Sequence, residues 1–286
     1  MRSVTATLAI AGLALASAMH TAAAAVVDPA LLAVVEARSE KDKSRDGARH
    51  PAQTLTFFQV EPGMTVAEGL PGSGWYSKIL ANYLGSEGTL YGINYPERIW
   101  PLFTSQTEEW RDARRAATGK FSGMVEGFTD NGINTAGFTF NTVPPEAAGS
   151  VDRVLLIRAL HNLNRFDAAS GTLSQALAAV RGMLKEDGMV GIVQHRLPES
   201  APEEGSDGSR GYLKQSTVIK AMEEAGFVLV ASSEVNANPK DKPGPGDIVW
   251  RLPPSLSGSK DDPEKRAAME AIGESDRMTL LFRKAS

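Results

Sequence analysis

Val66 to Gly74 reads V-A-E-G-L-P-G-S-G, the order of residue types expected where a strand passes through a glycine turn into a helix. Just upstream, Met64 to Glu68 (MTVAE) is a short β-type run. Just downstream, Trp75 to Leu84 places Ile79, Leu80, Tyr83 and Leu84 at helical spacing. A glycine turn here lets the backbone approach a ligand closely, and the helix beyond it offers free N–H groups. Glu68, ending the first strand, is placed to accept hydrogen bonds from a ligand amine or sugar. Together these features point to an α/β sheet that binds its ligand beyond the carboxyl ends of its strands.

Outward from this stretch the alternation continues. Gly85 to Gly88 is a turn and Thr89 to Asn94 (TLYGIN) a second strand. Glu97 to Ala117 reads mainly as helix, and within the glycine- and asparagine-rich stretch from Gly123 the expected strand is Gly137 to Asn141 (GFTFN). Val151 to Arg158 (VDRVLLIR) is a strongly apolar strand, and Asp167 to Leu184 is a helix ending near Gly188. Met189 to Gln194 (MVGIVQ) is apolar on both faces, as a strand inside a parallel sheet is. Ser216 to Ala225 forms a helix stopped by Gly226, Phe227 to Glu234 a strand, and Thr279 to Arg283 the last strand. Strands alternating with helices imply a doubly wound, mostly parallel α/β sheet, with no internal repeat. Upstream, Asp28-Pro29 is a helix start, and Leu31, Leu32, Val34 and Val35 form a short apolar face. The charged stretch Glu36 to Arg49 is expected on a solvated surface. Two loops, Pro198 to Gly211 and Asn236 to Asp262, read either as lids or site walls or as plain solvated connections.

The 286 residues carry a formal net charge of −4, with 42% apolar residues, 22% charged residues and no cysteine. The apolar fraction excludes wholesale disorder, and the absence of a basic block argues against a nucleic-acid partner. Without cysteine there is no disulfide scaffold, thiolate metal site or cysteine nucleophile. Arg2, the apolar run Val4 to Ala18 and the alanines Ala22 to Ala25 form the pattern of a signal peptide over residues 1–25, cut after Ala24 or Ala25. An uncleaved anchor over Ser3 to Val27 is the rival reading. The expected product is a periplasmic protein with no membrane contact after cleavage. Residues 26–62 would be a helical segment folding over the ligand, and residues 63–286 one α/β domain.

Five short motifs are spread along the chain: Arg49-His50-Pro51, Glu68 through Tyr76 (E-G-L-P-G-S-G-W-Y), His161-Asn162, His195-Arg196 and Gly273 to Arg277 (G-E-S-D-R). In them the chain resembles the class I S-adenosylmethionine-dependent methyltransferases, and within these a group of exported bacterial methyltransferase-like proteins. The resemblance runs from about Arg45 to the C-terminus. It implies a class I methyltransferase-like Rossmann fold with a final antiparallel strand, S-adenosylmethionine as cofactor, and a small-molecule or peptide acceptor. Glu68, Gly72, Gly74, Asn94 and Asn141 would line the cofactor. Leu70 stands where the first of three alternating glycines is expected. The second strand ends in Asn94 where the family has a ribose-binding carboxylate, and Asn141 aligns with the polar residue beside the adenine. Asparagine lacks the charge-assisted strength of a carboxylate toward a diol, so ribose binding is expected to be weaker than usual, or the ligand different.

His161 and Asn162 follow the fourth strand and His195 and Arg196 the fifth, so both pairs fall at the ligand-binding edge. Either histidine could be a general base on the acceptor, or a loop histidine satisfied by backbone carbonyls. His50 would join them if the N-terminal segment folds over the ligand. Three converging imidazoles would permit a metal, but no H-x-x-x-H or H-E-x-x-H spacing asks for one and none is expected. Trp75 and Tyr76 either stack on a ligand or plug the first helix into the sheet. Arg158 must pair with a carboxylate or point into the cleft. Glu274, Ser275 and Asp276 form a capped turn or a salt bridge to Arg49 or Arg158. Two functions stay open: methyl transfer with His161 or His195 as base, or a cofactor-free binding module or histidine-based metal enzyme.

Overall fold

Asp28 accepts a hydrogen bond from the Ala30 N–H at 2.8 Å and Pro29 opens α1 (Pro29–Glu36), the capping pair acting as its residue types dictate. The computed structural model describes residues 26–203 and 205–286, and the expected signal peptide over residues 1–25 lies outside them. Three short helices follow: α2 (Glu40–Lys43), α3 (Asp46–Arg49) and α4 (Pro51–Phe57). The stretch from Glu36 to Arg49 is not simply the solvated surface its charge implied. Arg38 is buried at 7% exposure and Arg49 at 1%, each against a carboxylate, Asp46 and Glu274 respectively.

Next come β1 (Thr65–Gly69), α5 (Trp75–Leu84) and β2 (Thr89–Asn94), as the opening stretch predicts. The segment from Glu97 is broken. A 3-10 turn over Glu97–Leu102 contains Pro101, and α6 (Glu108–Ala116) starts afresh where Thr107 Oγ1 accepts from the Trp110 N–H. An unforeseen helix, α7 (Phe121–Glu126), precedes β3 (Asn134–Thr139), which ends before Asn141. Gly92 and Gly137 sit side by side on β2 and β3. A Cβ on Gly92 would lie 2.3 Å from the Phe121 ring, so these glycines make room for α7 on the sheet.

After β4 (Val151–Ile157) come α8 (Leu160–Asn164) and α9 (Asp167–Ser170). Left-handed Gly171 then breaks the expected single helix before α10 (Thr172–Met183). β5 (Leu184–Leu197) extends beyond Gln194, because the last strand pairs with it as far as His195 opposite Arg277. His195 and Arg196 therefore lie within a strand, not after it. A two-residue β6 (Leu213–Lys214), α11 (Gln215–Glu224), β7 (Phe227–Ser233), α12 (Pro263–Ile272) and β8 (Arg277–Lys284) complete the chain.

The strand order is β3-β2-β1-β4-β5-β8-β7, with short β6 beside β5. β1 to β5 run parallel, whereas β8 is antiparallel to both β5 and β7. This is the doubly wound, mostly parallel Rossmann-like arrangement that the alternation of elements predicts, with an antiparallel last strand. Its order reverses between β1 and β4, which opens a crevice beyond their carboxyl ends. Alternating residues serve two cores. Ala67, Val154, Leu156 and Leu280 face α8, α10 and α11, while Val66, Leu155, Ile157 and Leu281 face α1, α4 and α5. Among the described residues no helix is long and apolar enough to cross a membrane.

Candidate active site

Beyond Gly69 the chain turns sharply. Leu70 adopts φ 54°, in the left-handed region, and its N–H donates to Ile93 O at 2.7 Å. Gly72 and Gly74 follow at φ 62° and 76°, and at Gly74 a Cβ would also stand 2.8 Å from the Phe128 ring. Gly74 caps α5, whose first turn brings Ser77 under β1. There the Ser77 hydroxyl donates to Glu68 Oε2 at 2.5 Å. Glu68 is buried at 4% exposure. Burial pushes its carboxyl up to about 7, against the smaller opposing pulls of the Ser77 bond and the Arg158 charge.

Two chambers flank this turn and share Leu70, Pro71, Gly72, Arg114, Asn162 and Trp250 as walls. The larger, about 800 Å³, lies over the ends of β1 and β2 and is walled by Asn94, Tyr95, Trp100, Phe103 and Trp110. The smaller, about 350 Å³, lies over the ends of β1, β4 and β5 and holds Glu68, Arg49, Arg158, His161, His195 and Glu274. The two long loops form walls here. Ser209 stands on the first chamber, and Val249 with the Pro253-Pro254 pair on the second.

The structure brings some sequence candidates together and not others. Gly72 lines both chambers, and nothing stands within 4 Å of where its Cβ would be. Asn94 reaches the larger chamber, but its Nδ2 donates to Arg114 O and Thr118 Oγ1, each at 2.9 Å, and its Oδ1 accepts from the Tyr95 N–H at 2.8 Å. One Oδ1 lone pair is left for a ligand. Asn141 lines neither chamber; its Oδ1 accepts from the Thr139 hydroxyl at 2.6 Å within its own turn. His50 also lines neither. It forms the left-handed joint between α3 and α4 at φ 40°, with Nδ1 buried and unpartnered, and burial followed by the Arg277 charge lowers its pKa. Among the described residues no group of three or more metal-ligating side chains converges.

His161 and His195 do meet, with ring centroids 5.3 Å apart and planes tilted by 55°. Gln194 sets the state of the first. Its Nε2 donates to His195 O at 3.1 Å and Gly211 O at 2.9 Å, so its Oε1 must be the acceptor for His161 Nδ1 at 3.1 Å. His161 therefore carries its proton on Nδ1 and presents a bare Nε2. Burial lowers its pKa to about 4. His195 pairs through Nδ1 with the Ser275 hydroxyl at 2.5 Å, and burial, then the neighbouring His161, hold it well below the usual histidine value.

Arginines complete the small chamber. Arg49 Nε binds Glu274 at 3.0 Å, Arg277 Nη1 binds the same carboxylate at 3.0 Å, and the two cations hold Glu274 below its ordinary pKa despite burial. Of the partners expected for the Glu274 turn, Arg49 is thus the one in place. Among the described residues no carboxylate is bonded to Arg158. It sits at φ 57°, its N–H donates to Val193 O at 2.6 Å, and burial with the Arg49 and Arg277 charges lowers its pKa to about 9. Trp75 lies under the guanidinium groups of Arg38 and Arg49, 4.8 and 4.9 Å from its ring, and Tyr76 is buried with its hydroxyl donating to Arg49 O at 3.3 Å. Sequence reading missed Arg45 and Arg114 as site residues. Both sit in charged, helix-forming surroundings with no motif of their own.

No family model and no curated protein matches the chain. Among solved structures it is similar to a SAM-dependent methyltransferase from Aquifex aeolicus, with TM-score 0.45 and 19% identity over 72% of this chain and 93% of that one. It is similar also to an arsenic(III) S-adenosylmethionine methyltransferase from Chlamydomonas reinhardtii, with TM-score 0.44 and 13% identity over 90% and 74% of the two chains. The cyclase SpnF gives TM-score 0.49 and 12% identity over 83% and 80%. These likenesses concern the course of the backbone, and the activities named belong to those proteins.

Proposed function

We propose that the protein transfers the methyl group of S-adenosylmethionine to a small-molecule or peptide acceptor, and that it works in the periplasm. The reading is carried by one juxtaposition: a buried carboxylate, Glu68, closing β1 across the Leu70–Gly72 turn from a nucleoside-sized chamber. The residues fit such a cofactor. The larger chamber, at about 800 Å³, is within the range of small-molecule sites. Gly72 leaves its Cβ side open, and Glu68 is a carboxylate whose ionised form gains from a cationic partner. S-adenosylmethionine supplies, when bound, a methyl group on a sulfonium, whose transfer depends mainly on alignment. Tyr95, Trp100 and Trp110 offer the adenine an aromatic wall, Asn94 Oδ1 offers the ribose one acceptor, and Glu68 offers the amino-acid ammonium a carboxylate. His161 Nε2 is the proton acceptor, suited to an acceptor O–H or N–H acidic enough to yield to a weak base.

Calorimetric titration with S-adenosylmethionine and S-adenosylhomocysteine tests this. Micromolar binding to the wild type and its loss in Glu68→Ala are expected; a silent wild type, or unchanged affinity in the variant, overturns the reading. The engagement of Asn94 by Arg114 and Thr118 favours a second reading, a methyltransferase-like binding module without the cofactor. Silent titrations select it, and stoichiometric metal in elemental analysis of the same sample would select the histidine-based enzyme. Intact mass of the exported protein tests the location by showing cleavage after Ala24 or Ala25.

A further inference from the structure

We propose that the smaller chamber is an oxyanion site that takes a phosphate or carboxylate group borne by the acceptor. As a statement about the methyl acceptor this rests on the reading above; as a statement about the chamber it rests on the side chains alone. In a chain of net charge −4, this one cavity gathers Arg45, Arg49 and Arg158, with Arg114 on the wall it shares with the larger chamber and Arg277 packed behind Glu274. Among the described residues the carboxylates lining it are Glu68 and Glu274. Glu274 is already bonded by both Arg49 and Arg277, and Glu68 keeps its proton up to about pH 7. His161 and His195 are held neutral and add nothing of either sign. Positive charge is left over, concentrated in a small polar cleft where counter-charge has the largest effect.

The unmet hydrogen bonds point the same way. Among the described residues, nothing is bonded to Nη1 or Nη2 of Arg49, which is 1% exposed, and Arg158 Nε is buried without an acceptor. Buried donors without partners are rare, and guanidinium groups match the planar or tetrahedral oxygens of carboxylate and phosphate. Arg158 is also held in the left-handed region at φ 57°, a strained backbone of the kind found at ligand sites. The cofactor does not account for this surplus. S-adenosylmethionine sets one carboxylate against an ammonium and a sulfonium, so by itself it would add positive charge. An acceptor carrying an oxyanion balances the site.

The test uses inorganic phosphate and succinate as probes in chloride buffer at constant ionic strength, read by calorimetry and thermal unfolding. The wild type should bind at least one of the two, and which one identifies the class. Arg158→Gln should weaken that binding roughly tenfold or more, while raising the midpoint of the ligand-free protein because an unpaired buried cation is gone. If that variant does not fold, Arg45→Gln should show the same loss of anion binding. Lys220→Gln, on the exposed face of α11, should bind the anion as the wild type does. Saturating S-adenosylhomocysteine should leave the anion affinity within about twofold. Silence with both anions, undiminished binding in the arginine variants, or mutual displacement by S-adenosylhomocysteine, which would assign these arginines to the cofactor's carboxylate, overturns the proposal. None of these outcomes depends on methyl transfer, so the titration of the cofactor fails or succeeds separately.

Discussion

Glu68 holds its proton because β1 and α5 remove its carboxyl from water and offer it one hydroxyl donor in exchange. Its folded pKa of about 7 stands above the ordinary 4.5, so folding favours the protonated form. Its contribution to stability is therefore full below pH 4.5 and is lost as pH rises toward 7. The difference is on the order of 3 kcal/mol across that window. Glu68→Gln should accordingly gain stability relative to the wild type between pH 4.5 and 7.5 in urea unfolding, and a pH-independent difference would contradict the burial argument. Glu68 was legible from sequence by its place at the end of a strand before a glycine turn. Its protonation state was not, because that depends first on burial by segments distant in sequence, and then on Ser77 in the first turn of α5 and on Arg158 just after β4.

At the scale of elements, the proline- and glycine-rich stretch from Asn236 to Asp262 has the composition of a lid and the hydrogen bonds of a wall. Asn236 Nδ2 donates to Thr54 Oγ1 at 2.9 Å and Thr279 Oγ1 at 3.0 Å, tying the loop to α4 and β8. Asp241, 5% exposed, accepts from Arg251 Nη2 at 2.8 Å, the Tyr212 hydroxyl at 3.1 Å and the Asp276 N–H at 3.1 Å. Asp241→Ala should leave the Tyr212 hydroxyl and the Asp276 N–H without this acceptor and Arg251 with only its longer ion pair to Asp247 at 3.4 Å, and cost about 3 kcal/mol in chemical denaturation. It should also loosen the Trp250 wall shared by the two chambers. A loss under about 1 kcal/mol would show that the loop is held by other contacts. The helix breaks at Pro101 and Gly171, by contrast, were visible as residues but not as breaks. Whether a proline or glycine ends a helix depends on what packs beside it.

For the molecule as a whole, the N-terminal helices both complete a core and roof the site. Leu31, Val35, Leu55 and Phe58 are buried with Val66, Leu155 and Leu281 of the sheet, and Arg49 reaches from α3 to Glu274 at the start of the last strand. Deleting residues 26–62 should therefore abolish the cooperative unfolding transition and expose apolar surface that binds a hydrophobic dye. A truncated protein with a sharp transition would show the sheet to be self-sufficient. The sequence by itself determined the alternation of the main strands and helices, the doubly wound class and the edge at which Glu68, His161, Asn162 and His195 lie. Periodicity, turn chemistry and the handed connection of parallel strands are local properties that a linear reading contains. Only the tertiary structure decided that His50 and Asn141 stand apart, that Asn94 is engaged by α6, and that Arg45, Arg49, Arg114 and Arg158 converge on one cleft. Burial and charge balance are sums over neighbours far apart in the chain, and no spacing rule along the chain carries them.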